Sequence, residues 1–158
     1  MASQDTARAV ADLAEGLVLA TVEVPAPSER VFDALASEEV TRWWVRPGVF
    51  DTREWRGDVR PGGRWRASGI ARGNPYVLEG EFIEVEAPRM LVHTWHPGGE
   101  PAAATTVTYM LEPIDGGTRV TLRQSKFASR GTCLATCIGW ETSFDELSRL
   151  LSRDSRDR

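Results

Sequence analysis

The chain has 158 residues, 41% of them apolar and 27% charged, which suits one globular domain of ordinary size. Its formal charge of −4 comes from 19 basic and 23 acidic residues, and the basic ones are scattered, so a nucleic-acid partner is not expected. No apolar run approaches the roughly 18 residues of a membrane span, and no basic stretch precedes an apolar one near Met1, so neither a membrane partner nor a secretory signal is expected and the protein is placed in the cytoplasm.

Residues 1–16 read as an N-terminal extension. Over residues 2–15 the pattern is helical, with Ala7, Val10, Ala11 and Ala14 near one face, and the segment either docks as an extra helix or frays. Leu17 to Val24 alternates, with Val18, Ala20, Val22 and Val24 on one side, as a first strand does. Pro25 stops it. Pro27 suits the first position of a short helix whose buried face is Val31, Phe32 and Leu35. Ser37 is placed to cap a second short helix, Glu38 and Glu39 complement its dipole, and Trp43 and Trp44 stand at its far end before Pro47.

A meander of strands follows. Phe50 to Val59 and Arg64 to Ala71 flank the turn signal Arg60-Pro61-Gly62-Gly63. Tyr76 to Val85 and Met90 to His96 flank Ala87-Pro88, and Thr105 to Leu111 and Thr118 to Gln124 flank Asp115-Gly116-Gly117. Leu91, His93 and Trp95 share one strand face, as do Val107, Tyr109 and Leu111, and Val120, Leu122 and Gln124. Such alternation implies one buried and one wet face. From Arg130 the apolar residues Cys133, Cys137, Trp140, Phe144, Leu147 and Leu151 recur every three or four positions, the stripe of a helix roughly 30 Å long. Gly139 inside it costs about 1 kcal/mol relative to Ala, which suggests close packing there against the sheet or a second subunit. Residues 17–151 make the domain, and residues 152–158 a charged, frayed tail. Strand, two short helices, antiparallel strands and one long helix make an α+β domain.

No nucleophile elbow, phosphate loop or dinucleotide fingerprint is present, so no cofactor and no recognisable catalytic motif are expected. Cys133 and Cys137, one helical turn apart, match no recognised zinc spacing with His93 and His96; no metal is expected, and both read as small buried residues of a reduced protein. His93 faces inward by parity and either moves a proton or polarises a carbonyl, or is a hydrogen-bonded core histidine. His96 falls on the opposite face. Trp140 fits equally as core or pocket wall, Trp44 and Trp65 are placed at a mouth, and Trp55 outside. Gln124, turned inward, must find a partner or a ligand. Arg64, Arg66, Glu81 and Glu84 read as a wet face. A long helix lying in a curved sheet leaves space, and the candidate lining of that space is Trp44, Trp65, Phe82, His93, Trp95, Tyr109, Gln124, Trp140 and Phe144, apolar with a few placed polar groups.

Val24-Pro25-Ala26-Pro27-Ser28-Glu29-Arg30-Val31-Phe32-Asp33-Ala34-Leu35 followed by Trp43-Trp44 resembles the opening of the Hsp90-ATPase-activator-like branch of the START/Bet v 1-like superfamily. Arg60-Pro61-Gly62-Gly63-Arg64-Trp65, Gly80 to Val85 and Pro88 to Trp95 are similar to its middle, and Gly116 to Leu122 with Gly139-Trp140 to its end. The resemblance implies a helix-grip fold: a curved antiparallel sheet wrapped around the C-terminal helix, with a cavity between them. It also implies three functions. The first is binding of a small, mainly hydrophobic or aromatic ligand without a cofactor, by a protein that need not be an enzyme and that is compatible with a homodimer. The second is polyketide cyclase or dehydratase chemistry, with His93 as acid/base. The third is an Hsp90 co-chaperone-like interaction.

Overall fold

The alternating segments between Leu17 and Gln124 all form strands. The computed structural model describes residues 7–97 and 104–156, with side chains as far as Ser152. In chain order the elements are β1 (Arg8–Asp12), β2 (Leu17–Val24), α1 (Ser28–Leu35), α2 (Val40–Trp43), β3 (Val45–Arg46), β4 (Phe50–Gly57), β5 (Arg64–Ala71), β6 (Asn74–Glu86), β7 (Met90–Pro97), β8 (Thr105–Ile114), β9 (Gly117–Ser125) and α3 (Arg130–Arg156). The strands make one nine-stranded sheet in the order β1-β2-β9-β8-β7-β6-β5-β4-β3, antiparallel throughout. Hairpins join β4 to β5 and β8 to β9 at the two turn signals.

Helix α3 packs on β1 and β2 near one edge of the sheet and on β3 at the other, with α2 beside it. Both edges of so wide a sheet reach one helix only if the sheet curls around it. Strand twist supplies part of the curl. Register shifts between Thr52 and Glu54 in β4, and between Phe82 and Glu84 in β6, add local bends. The architecture is an α+β helix-grip fold. The core lies in its grip: Val18, Ala20, Val22 and Val24 from β2, Val107, Tyr109 and Leu111 from β8, and Val120 and Leu122 from β9 face Cys133, Cys137, Trp140, Phe144, Leu147 and Leu151 of α3.

The two short helices close the open side. Arg30 grips Glu39 with two bonds, Nη1 to Oε1 at 2.7 Å and Nη2 to Oε2 at 2.5 Å, joining α1 to the start of α2. The fully buried Trp43 donates its indole N–H to Ala34 O at 2.8 Å. Pro27 stands just before α1 rather than inside it, its carbonyl accepting the Val31 N–H.

Three expectations change. Residues 8–12, read as part of a helix, are strand β1, paired with β2 through Val10 and Leu19; residues 1–6 of that segment lie outside the described residues. Asp12 Oδ1 accepts the Glu15 N–H at 3.1 Å and Gly16 takes a left-handed φ of 67°, so the chain reverses where a helix would continue. Helix α3 runs through Arg156, past the tail expected to fray from Ser152. Gly139, finally, is not a close-packing point against the sheet. A Cβ there would find its nearest neighbour, Phe50, at 3.9 Å, which is ordinary contact.

Gly139→Ala is therefore expected to stabilise the protein by about 1 kcal/mol, through the helix propensity alone. Urea denaturation checks it, and a lower midpoint for the variant would show a constraint on α3 that the packing does not.

Candidate functional site

The sheet's inner parity and the α3 stripe bring the expected residues together in one aromatic cluster. Trp44, at the end of α2, has its ring centroid 4.9 Å from Trp95, 5.8 Å from Trp65 and 6.1 Å from Trp140. His93 lies 5.1 Å from Trp65, and 5.9 Å from both Phe82 and Tyr109. Trp140 is 5.5 Å from Trp95, 6.0 Å from Tyr109 and 5.6 Å from Phe144. These are the separations of rings packed edge to face or offset. Apart from Trp95, which is half-buried, every member is buried. The rings thus lie in the space expected between helix and sheet. Open grooves of about 500 and 440 Å³ lie instead over β4–β6 and beside the β3–β4 turn, where Arg53 and Ile70 line both.

Most polar atoms of the cluster are paired. Trp140 Nε1–H donates to Gln124 Oε1 at 2.7 Å, and Gln124 Nε2–H donates to Thr105 Oγ1, also at 2.7 Å. Thr105 in turn donates to Trp95 O at 3.1 Å. The inward Gln124 has therefore found protein partners. Thr94 O accepts from Trp65 Nε1–H at 3.1 Å and lies 2.8 Å from His93 Nδ1, which places the imidazole proton on Nδ1 and leaves Nε2 an acceptor. Gly80 makes the Trp65 contact possible: a Cβ there would meet Thr94 O at 1.9 Å and Trp65 Nε1 at 2.3 Å.

Two buried polar atoms of the cluster have no hydrogen-bond partner among the described residues, Trp44 Nε1 and the Tyr109 hydroxyl. They face each other. The Trp44 N–H partly offsets the strong upward push of burial on the Tyr109 hydroxyl, yet the geometry falls short of a hydrogen bond. An unmet buried donor costs about 1–3 kcal/mol, so this pair is what the packing leaves unexplained. Burial also lowers His93 to about 4, against a smaller opposing effect of its bond to Thr94 O. At neutral pH the cluster is uncharged.

Several placements differ from the sequence reading. Trp55, expected outside, is buried opposite Ala67 on the inner face, because the β4 bulge after Thr52 inserts a residue and inverts the parity. Trp43, which the expected lining did not include, belongs to the cluster, 6.2 Å from both Trp140 and Phe144. Thr105 was legible: it shares parity with Val107 and Tyr109. Arg64, Arg66, Glu81 and Glu84 are exposed as expected. Cys133 and Cys137 are buried and free, and among the described residues no helix is long and apolar enough to cross a membrane.

Residues 25–152 match the family described as activator of Hsp90 ATPase homolog 1-like protein. The chain belongs to that family. Among solved structures, protein Ms6760 from Mycobacterium smegmatis is 23% identical, with 91% of this chain and 95% of that one covered and a TM-score of 0.78. A Rhodobacter sphaeroides protein is 21% identical over 93% and 99% of the two chains, with a TM-score of 0.77. Protein NE0264 from Nitrosomonas europaea is 26% identical over 89% and 97%, with a TM-score of 0.73. The first two likenesses bear on the fold alone. Among curated proteins none matches the chain significantly.

His93 gives the site a pH signature. Its folded value of about 4 lies below the ordinary 6.5, so the unfolded chain takes up the proton first as the pH falls. The stability it contributes is complete above about pH 6.5 and is lost as the pH falls toward 4. Between pH 7 and 5 the unfolding free energy is expected to fall by about 2 kcal/mol more for the native protein than for His93→Gln. Denaturant titrations at the two pH values check this, and parallel losses would place His93 in contact with water.

Proposed function

We propose that this protein binds a small, mainly apolar or aromatic molecule among the rings between α3 and the sheet, without a cofactor. The observation that carries the reading is the unmet pair, Trp44 Nε1–H and Tyr109 hydroxyl, in a cluster where Trp65, Gln124 and Trp140 are hydrogen-bonded. Buried polar groups in a core are normally paired, and a ligand supplies the partner the fold withholds. Trp95, half-buried at the cluster's edge, is the ring a ligand would displace to enter. Burial of apolar ligand surface, about 25 cal/mol per Å², supports micromolar binding after association costs. Two buried free thiols agree with a reducing compartment, and the cytoplasm is proposed as the location.

The acid/base alternative asks His93 to exchange protons near neutral pH. Burial holds it near 4, which makes it a hydrogen-bond acceptor and a poor base. That favours binding over proton transfer.

Tryptophan fluorescence tests the proposal. Naphthalene-like aromatics or medium-chain acyl compounds are expected to quench or shift the emission saturably, and Trp140→Phe to blunt the response. If no compound binds and turnover of a polyketide-like substrate depends on His93, the enzyme reading replaces this one. If instead an exposed-face substitution abolishes an Hsp90 interaction, the site lies outside the grip altogether.

A further inference from the structure

We infer that this protein pairs with a second copy of itself along β1, the two strands running antiparallel about a twofold axis at Val10 so that two sheets become one. The sheet has two edges, β3 and β1. The β3 edge is protected, being two residues long and followed at once by Pro47. β1 is five residues long, without proline, and its centre is Val10, which is 62% exposed. Among the described residues it pairs with β2 on one side, and no backbone hydrogen bond reaches its other side. An open edge of this kind is a template for another strand.

The strand's own sequence, Arg8-Ala9-Val10-Ala11-Asp12, names the partner. Antiparallel pairing about Val10 sets Val10 against Val10, and at each end Arg8 of one copy against Asp12 of the other. All three residues lie on the exposed face, so the charges meet on one side of the sheet with the apolar pair between them. Leu19, opposite Val10 on β2 and itself exposed, extends that apolar strip in each copy. An axis moved to Ala9 or Ala11 would put a charge opposite Val10 instead. The ion pairs therefore fix the register more than they add affinity.

Helix α3 arrives at the same axis. It packs along β2 and on β1, and strands stand about 4.8 Å apart. Pairing through β1 sets the two α3 helices antiparallel and two strand spacings apart, about 10 Å, a distance at which helices pack. Cys133 Sγ–H donates to Leu17 O at 3.7 Å, and Leu17 lies opposite Asp12. From Asp12 to Val10 the strand advances about 6.6 Å, or about four helical residues, which leads from Cys133 to Cys137 and Ile138. Leu134 and Ile138 are 48% and 43% exposed. They leave α3 on the flank away from Gly139, which faces Phe50 beside β3. That flank is turned to the second copy, with Ile138 near the axis.

Sedimentation equilibrium of the full chain tests the pairing. A short edge and one helix contact make a small interface, so a dissociation constant of about 10–100 μM is expected. Arg8→Glu and Asp12→Lys each oppose like charges at both ends and are expected to weaken the dimer about tenfold. Mixed together, the two variants recover opposite charges at both ends, and their heterodimer is expected within about threefold of the native affinity. Only residue 8 standing opposite residue 12 of the other copy gives that recovery. Val10→Lys, which touches no turn, brings two ammonium groups together at the axis and is expected to abolish the dimer below about 1 mM. Ile138→Lys is expected to weaken it at least about tenfold. Circular dichroism checks that each variant keeps the native fold. A native chain that stays monomeric to about 1 mM, a dimer that survives Val10→Lys, or folded charge variants that do not recover on mixing overturns the β1 pairing. Indifference to Ile138→Lys overturns the place given to α3 at the axis.

Discussion

At the centre of the grip, the Trp140 indole donates to Gln124 in an interior that offers few other polar partners. The bond ties the middle of α3 to β9, and the relay continues through Thr105 to the backbone of Trp95 on β7. A helix facing a curved sheet through apolar contacts alone could slide or rotate by a residue at little cost, because such contacts lack direction. A directional bond in a low-dielectric interior fixes both depth and rotation. With Trp140 fixed, Phe144 on the next turn meets Trp43, and Trp43 in turn holds α2 to α1 through Ala34. The placement of Trp44 at the end of α2 follows from that chain of contacts.

The same logic separates anchored rings from unanchored ones. Trp43, Trp65 and Trp140 each spend their N–H on a protein acceptor. The N–H of Trp44 has none, and Trp95 makes no side-chain hydrogen bond with the described residues. These two rings are also the closest pair in the cluster, at 4.9 Å. Chemically identical side chains are thus divided into anchored and unanchored rings by whether an acceptor stands opposite the indole nitrogen.

Much of this was legible in the sequence. Strand parity found the inward faces of β2, β7, β8 and β9 and so placed His93, Tyr109 and Gln124, because register along a regular strand repeats every two residues. The α3 stripe placed Trp140 and Phe144 for the corresponding reason. Parity failed at Trp55, where a bulge leaves no mark in composition and reverses every later side chain. Local propensity failed at β1: Ala-rich residues favour a helix, but pairing with β2 and the turn at Asp12 and Gly16 prevailed. The unmet Trp44 and Tyr109 pair was illegible in principle, since it depends on which acceptors three-dimensional packing leaves out of reach.

The packed cluster also sets what a ligand must overcome. Its rings already make the contacts that a ligand would make, so an incoming molecule gains mainly from the surface it newly covers and from groups the apo protein leaves unsatisfied. A purely apolar compound exchanges ring–ring contacts for ring–ligand contacts and gains little when it displaces Trp95. Trp44, just after α2, and Tyr109, on β8, face each other within the cluster. The hydrogen-bond relay through Trp140, Gln124 and Thr105 ties α3 to β9, β8 and β7 beside them.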